Sequence, residues 1–147
     1  MENLISQLKQ CLADTFIMKM KVQGYHWNVI GPDFPQYHDF FGDLYGELDG
    51  AVDALAEHIR QLDAFAPNSV SRMIELSTLE ESETIPLAPK MITNLIADND
   101  AVLETVTVAY EMAEAAKEFG LSNYLQDRIT AHKKHRWMLK ATAGQKT

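Results

Sequence analysis

The chain has 147 residues, 46% of them apolar, which at that length is enough to bury one core without staples. Lys and Arg total 13 against 21 Asp and Glu, a formal net charge of -8; that is the wrong sign for a surface built to attract phosphate or anionic lipid, and cations are the expected guests. A single cysteine, Cys11, excludes an intrachain disulfide scaffold and a multi-thiolate zinc site and suits a reducing compartment.

The residues after Met1 carry no basic flank and no small-residue cleavage site, so the expectation is a cytoplasmic protein. No apolar run approaches the roughly 18 residues of a membrane span, and there is no repeat or low-complexity stretch. Residues 1–147 therefore read as a single domain.

Pro and Gly gather where the apolar periodicity breaks, which predicts helices. Leu4, Ile5, Leu8, Leu12 and Phe16 recur at helical spacing and predict a helix from Glu2 to about Ile30, broken by Gly31-Pro32-Asp33. Phe41, Leu44, Leu48, Val52, Leu55, Ile59 and Leu62 predict a second long helix, from Pro35 to about Ala64. The stretch 65–88 holds a short apolar patch around Met73, expected to form one small helix capped by Asn68 or Ser69. Pro89 suits the first position of a third long helix, whose stripe Ile92, Leu95, Asn99, Val102, Val106, Ala109, Ala113 is expected to stop at Gly120. Leu121, Tyr124, Leu125, Ile129, His132 and Leu139 mark the last helix, with Lys133, Lys134, His135 and Arg136 in its later turns, where cations suit the helix dipole.

Four long amphipathic helices, with tight first and last turns and a long central connection, describe an all-α, ferritin-like four-helix bundle with a short extra helix in that connection. A plain bundle without a cofactor has the same periodicity.

Three groupings could carry chemistry. His26 and His38 flank the first turn and come together at one end of the bundle; imidazole suits iron or zinc, and two interfacial histidines bonded to backbone would give the same string. Asp53 and Glu57, with Asp49 a turn earlier, share one helical face, either as a solvated acidic stripe or as carboxylate ligands. His38 and Asp53 lie on one helix, separated by about 22 Å at 1.5 Å per residue. One chain cannot bring them to one ion, so a shared metal requires carboxylates from a second copy across a twofold axis. The third grouping, His132 and His135, is surrounded by Lys and Arg and reads as packing or helix-end cations rather than ligands.

The string His26-Trp-Asn-Val-Ile-Gly-Pro-Asp-Phe-Pro-Gln-Tyr-His38, followed by Asp53-Ala-Leu-Ala-Glu57, resembles the Dps family of ferritin-like proteins, the mini-ferritins. The resemblance implies a homododecameric cage of tetrahedral symmetry that stores ferric mineral. It implies ferroxidase activity at an intersubunit site in which His26 and His38 of one chain meet Asp53 and Glu57 of its twofold mate. Iron is the implied metal, hydrogen peroxide the implied oxidant, and protection from oxidative damage the implied purpose. Trp27 matches an aromatic beside the site that intercepts radicals in the family; packing at the interface would equally account for it.

Two positions depart from the pattern. Many relatives have Asp four residues after the second histidine, where this chain has Gly42, with Asp43 one step further round the helix; this puts a second iron position in question. His58 stands where the family often has Arg. Glu114, Glu118 and Asp127 near the last turn are candidates for an entry pore and Glu47 for a cavity wall, although a solvated surface explains each. The final residues hold only Lys146 as a cation and the surface is acidic, so little DNA affinity is expected. A nucleoid-coating protein and a cage without ferroxidase activity are the alternatives.

Overall fold

The computed structural model describes residues 1–146. Its elements are α1 (Glu2–Asn28), α2 (Phe34–Gln61), the short α3 (Val70–Leu76), α4 (Ala88–Ala115) and α5 (Phe119–Thr142), the four-helix bundle with a small crossover helix that the apolar stripes predict. The stripes close on one another: Leu8, Leu12, Met18, Phe41, Leu48, Leu55, Leu95, Val102, Leu125 and Leu139 have no exposed surface at all. α1 packs along α2 and α4, and α4 along α5, while α2 and α5 approach over only a short stretch.

The helix ends differ from the expected ones for local reasons. α1 stops at Asn28 because Val29 turns extended and buries its side chain. α2 stops at Gln61, where Asp63 takes a left-handed conformation (φ 61°). The third long helix does not run to Gly120. It ends at Ala115, and Lys117 adopts φ 60° while the Glu118 amide donates to the carbonyl of Ala113. Lys117 thus makes the reversal usually left to glycine, and Gly120 falls inside the first turn of α5. Ser69 caps α3 by accepting from the Arg72 amide.

Asp14 pins the crossover to the bundle. Fully buried in α1, it accepts from Ser77 Oγ (2.7 Å), the Thr78 amide (2.6 Å), Thr78 Oγ1 (2.8 Å) and Thr105 Oγ1 of α4 (2.9 Å). A buried carboxylate is tolerable only with such a set of donors. Nearby, Lys21 pairs with Asp98 at 2.7 Å; burial nevertheless holds the Asp98 carboxyl above its usual range. Cys11 is fully buried and donates to the Thr105 carbonyl. No helix of the described residues is long and apolar enough to cross a membrane.

Candidate metal centre

His26 lies in the last turn of α1 and His38 in the second turn of α2. Between them Gly31 takes φ 127°, a backbone that side chains resist, and turns the chain back. The two imidazoles stack, with centroids 3.8 Å apart and planes 14° from parallel. Phe34 stacks on His38 at 5.0 Å and Tyr45 meets His26 edge-on at 5.2 Å.

The hydrogen bonds of the pair are reciprocal. His26 Nδ1 lies 2.6 Å from the His38 carbonyl oxygen, and His38 Nδ1 lies 2.8 Å from that of His26. A carbonyl only accepts, so each Nδ1 carries the proton, and the neutral form of each ring has its lone pair on Nε2. Among the described residues neither Nε2 has a protein partner. Both imidazoles are thus bonded to backbone, the alternative the sequence left open, and the same bonds leave each Nε2 available, as the second partners of metal-bound histidines do.

Asp53 and Glu57 sit one turn apart on the outer face of α2, both exposed. A hydrogen bond from Asp53, then its charge, hold the Glu57 carboxyl above its usual range. Two carboxylates one turn apart can offer a divalent cation two oxygens. α2 is unbroken from Phe34 to Gln61, so the histidines and carboxylates remain about 22 Å apart along it. Accordingly, among the described residues no three His, Cys, Asp or Glu side chains of one chain converge as a metal site. Asp43 is exposed, and Asp49 lies 3.6 Å from Lys19. Trp27, Ile30 and Phe34 leave an apolar rim around the histidines, 59%, 68% and 38% exposed.

Other candidates are placed differently. Glu47 is not a free wall carboxylate: Arg128 grips both its oxygens, and His135 Nε2 lies 2.7 Å from Oε1. Burial alone would raise its carboxyl, but the bonds from His135 and Arg128 override that and hold it at about 2. His132 belongs to the same network, donating from Nδ1 to Asn99 Oδ1 and accepting from Arg128 at Nε2. Burial first, then the charges of Arg128 and His135, push it down to about 3. The local sequence around His132 and His135 gives no hint of this network, whose partner Glu47 lies on another helix. His58 packs against Tyr124 at 4.7 Å, and burial lowers its pKa. Glu114 and Asp127 are exposed and Glu118 half-buried around the α4 to α5 turn.

Residues 5–146 match the ferritin-like domain family. The DNA protection during starvation protein of Brevibacillus brevis is 27% identical over 134 residues, covering 91% of this chain and 90% of that protein. The crystal structure of Dps from Staphylococcus aureus superposes with a TM-score of 0.93 at 26% identity, covering 97% of this chain and 96% of that one. The Dps protein from Vibrio cholerae O1, described as a member of a broad superfamily of ferritin-like diiron-carboxylate proteins, superposes with a TM-score of 0.92 at 28% identity, over 95% of this chain and 88% of its own. With the bundle, the crossover helix and the histidine pair already in place, these matches settle the assignment: the chain belongs to the ferritin-like domain family and, within it, to the Dps type.

Proposed function

We propose that this protein detoxifies and stores iron, oxidising Fe(II) to Fe(III) at sites completed by two copies of the chain and holding the product as ferric mineral inside a homododecameric cage. Membership of the family supports iron storage or DNA protection in general. The observation that supports the finer reading is the locked histidine pair, which leaves each Nε2 without a partner among the described residues, while the Asp53 and Glu57 carboxylates lie far down the same rigid helix.

In this reading His26 and His38 of one chain and Asp53 and Glu57 of its mate hold the ferrous substrate. Neutral imidazoles accept Fe(II), and the anionic oxygens favour the ferric state as charge builds on the metal. With hydrogen peroxide as oxidant, two Fe(II) give up one electron each, the O–O bond breaks, and two protons complete two waters. Dioxygen serves more slowly. The apolar rim of Trp27, Ile30 and Phe34 is covered by the second copy, which places Trp27 beside the metal as a one-electron donor to stray radicals. The acidic balance of the chain argues against DNA as the main partner at physiological salt, and the reducing cytoplasm is the compartment in which ferrous iron is supplied.

The test is anaerobic mixing of the assembled protein with ferrous iron and peroxide, following ferric absorbance. A rate well above that of the protein-free reaction supports the reading, and a rate equal to it removes the ferroxidase assignment. A mobility shift of plasmid at physiological salt would restore DNA coating as the primary role.

A further inference from the structure

We propose that Asp49 is a metal ligand of the intersubunit site, supplied by the mate at the place where this chain carries Gly42; the proposal rests on the metal-binding reading above. It adds a third carboxylate to Asp53 and Glu57 and lets one site hold two Fe(II).

The register follows from the helix itself. For His38 of one α2 and Asp53 of the mate to share an ion, the two helices must run antiparallel with those residues level. Gly42 lies four residues after His38, and Asp49 four residues before Asp53. One turn further on, Gly42 and Asp49 of the mate are therefore level too. They also face each other. At about 100° per residue, His38 and Asp53 bound an arc of roughly 60° on α2, and both Gly42 and Asp49 fall inside it. The face that must turn to the mate for the two ligand pairs to meet has these two residues at its middle. Asp43, the residue after Gly42, is rotated about 100° from it and out of that arc.

The surroundings suit a carboxylate at this place. A Cβ built at Gly42 would stand 3.1 Å from His26 Cε1, the ring carbon bonded to Nε2, so position 42 borders the edge that presents the lone pair. With no side chain there, the chain brings no carboxylate of its own to that edge. Asp49 is able to supply one: its side chain is 64% exposed, and Lys19 Nζ lies 3.6 Å from its Oδ1, a long and solvated pair of the kind that holds a carboxylate only weakly. Imidazole is neutral, so Asp53 and Glu57 offset one dication, and a second one about 4 Å away is repelled unless further anionic oxygen is present. Two Fe(II) held side by side deliver the two electrons that one hydrogen peroxide takes up, with two solvent protons, as its O–O bond breaks to give two waters.

The experiment compares the assembled wild type with D49N, K19M, D49N/G42D and, as the background for other cation sites, H26A/H38A. Co(II) is the probe. Its stoichiometry and affinity are read by titration calorimetry and the magnetic coupling of paired ions by EPR, with melting curves to establish that each variant is folded. Above background, the wild type is expected to take up two coupled Co(II) per chain, since the twofold geometry gives one site per chain. D49N is expected to keep the first ion and to bind the second at least about tenfold more weakly, with the coupling lost. K19M, which releases the carboxylate, is expected to keep both. D49N/G42D, which returns a carboxylate to the same place from the facing helix, is expected to regain the second. Wild-type uptake by D49N, a loss in K19M equal to that in D49N, or a folded D49N/G42D that stays at one ion overturns the proposal. One ion in wild type and D49N alike overturns the role of Asp49 and leaves the metal-binding reading standing; no Co(II) above background in the wild type ends that reading and this proposal with it.

Discussion

Arg128 and Glu47, 81 positions apart in sequence, form a bidentate ion pair that bridges α5 to α2, two helices that otherwise meet over only a short stretch. His135 joins the same carboxylate, and Arg128 is almost wholly buried while Glu47 is a little over a third exposed. R128M is expected to destabilise the bundle by about 1–3 kcal/mol, the lower part of the range for a broken buried pair because water reaches Glu47. E47Q should cost less, since the amide still accepts from the guanidinium. Urea unfolding of both variants at neutral pH checks the order.

His132 makes the same seam sensitive to acid. Its folded pKa, about 3, lies below the roughly 6.5 of an unfolded histidine, so on acidification the unfolded chain takes up a proton that the folded one refuses. Stability from this group is complete above the unfolded value and falls as pH drops from there towards the folded value, with a limiting slope of about 1.4 kcal/mol per pH unit. Glu47, held at about 2, adds its own loss only below the unfolded carboxyl value near 4.3. Unfolding free energy should therefore begin to decline near pH 6.5, before carboxylates titrate, and H132Q should delay that onset.

Asp14 is expected to be the most costly single polar truncation in the chain. D14A leaves the Ser77 hydroxyl and the Thr78 amide and hydroxyl without their acceptor, while the Thr105 hydroxyl keeps the Ala101 carbonyl, for a loss of about 3 kcal/mol or more. The crossover should loosen first, seen as faster amide hydrogen exchange at Thr78 and Leu79 than in the four long helices.

Lys117 should respond in the other direction. Its left-handed backbone carries a penalty that glycine escapes, so K117G is expected to stabilise by about 0.5–1 kcal/mol. An unchanged melting temperature would mean that contacts of the lysine side chain already offset the strain.

The proposed intersubunit site predicts complementation. H38A and D53A chains should each be inactive alone. After mixed reassembly, half of the twofold pairs combine one of each and contain one intact site of two, so about a quarter of the wild-type ferroxidase rate should return. A site built within a single chain would recover nothing.

Much of the bundle was legible in the spacing of Leu, Ile and Val, because amphipathic stripes report which face is buried. Helix ends were less so: the αL position after α4 pointed to Gly120, yet the chain spends Lys117 there, since tertiary packing decides where the stripe must turn. The histidine pair and the carboxylates were visible as residue types at a telling separation. The tautomer lock was not, because it depends on two backbone carbonyls brought together by folding. Glu47 read as a cavity-wall candidate or solvated acid and Asp14 carried no signal for the same reason, their donors lying 81 to 88 and 63 to 91 positions away.

Cys11, sealed between α1 and α4 with its thiol pushed well above the ordinary range by burial and by the charge of Asp14, is itself a poor target for the oxidant the protein is proposed to consume. Sulfenic acid needs a thiolate within reach of peroxide, and this sulfur offers neither. It follows that this sulfur cannot link one copy to another through a disulfide while the bundle stays closed. The same burial makes the lone sulfhydryl a stopwatch for opening of the bundle: an alkylating probe should react with it only as fast as the helices part.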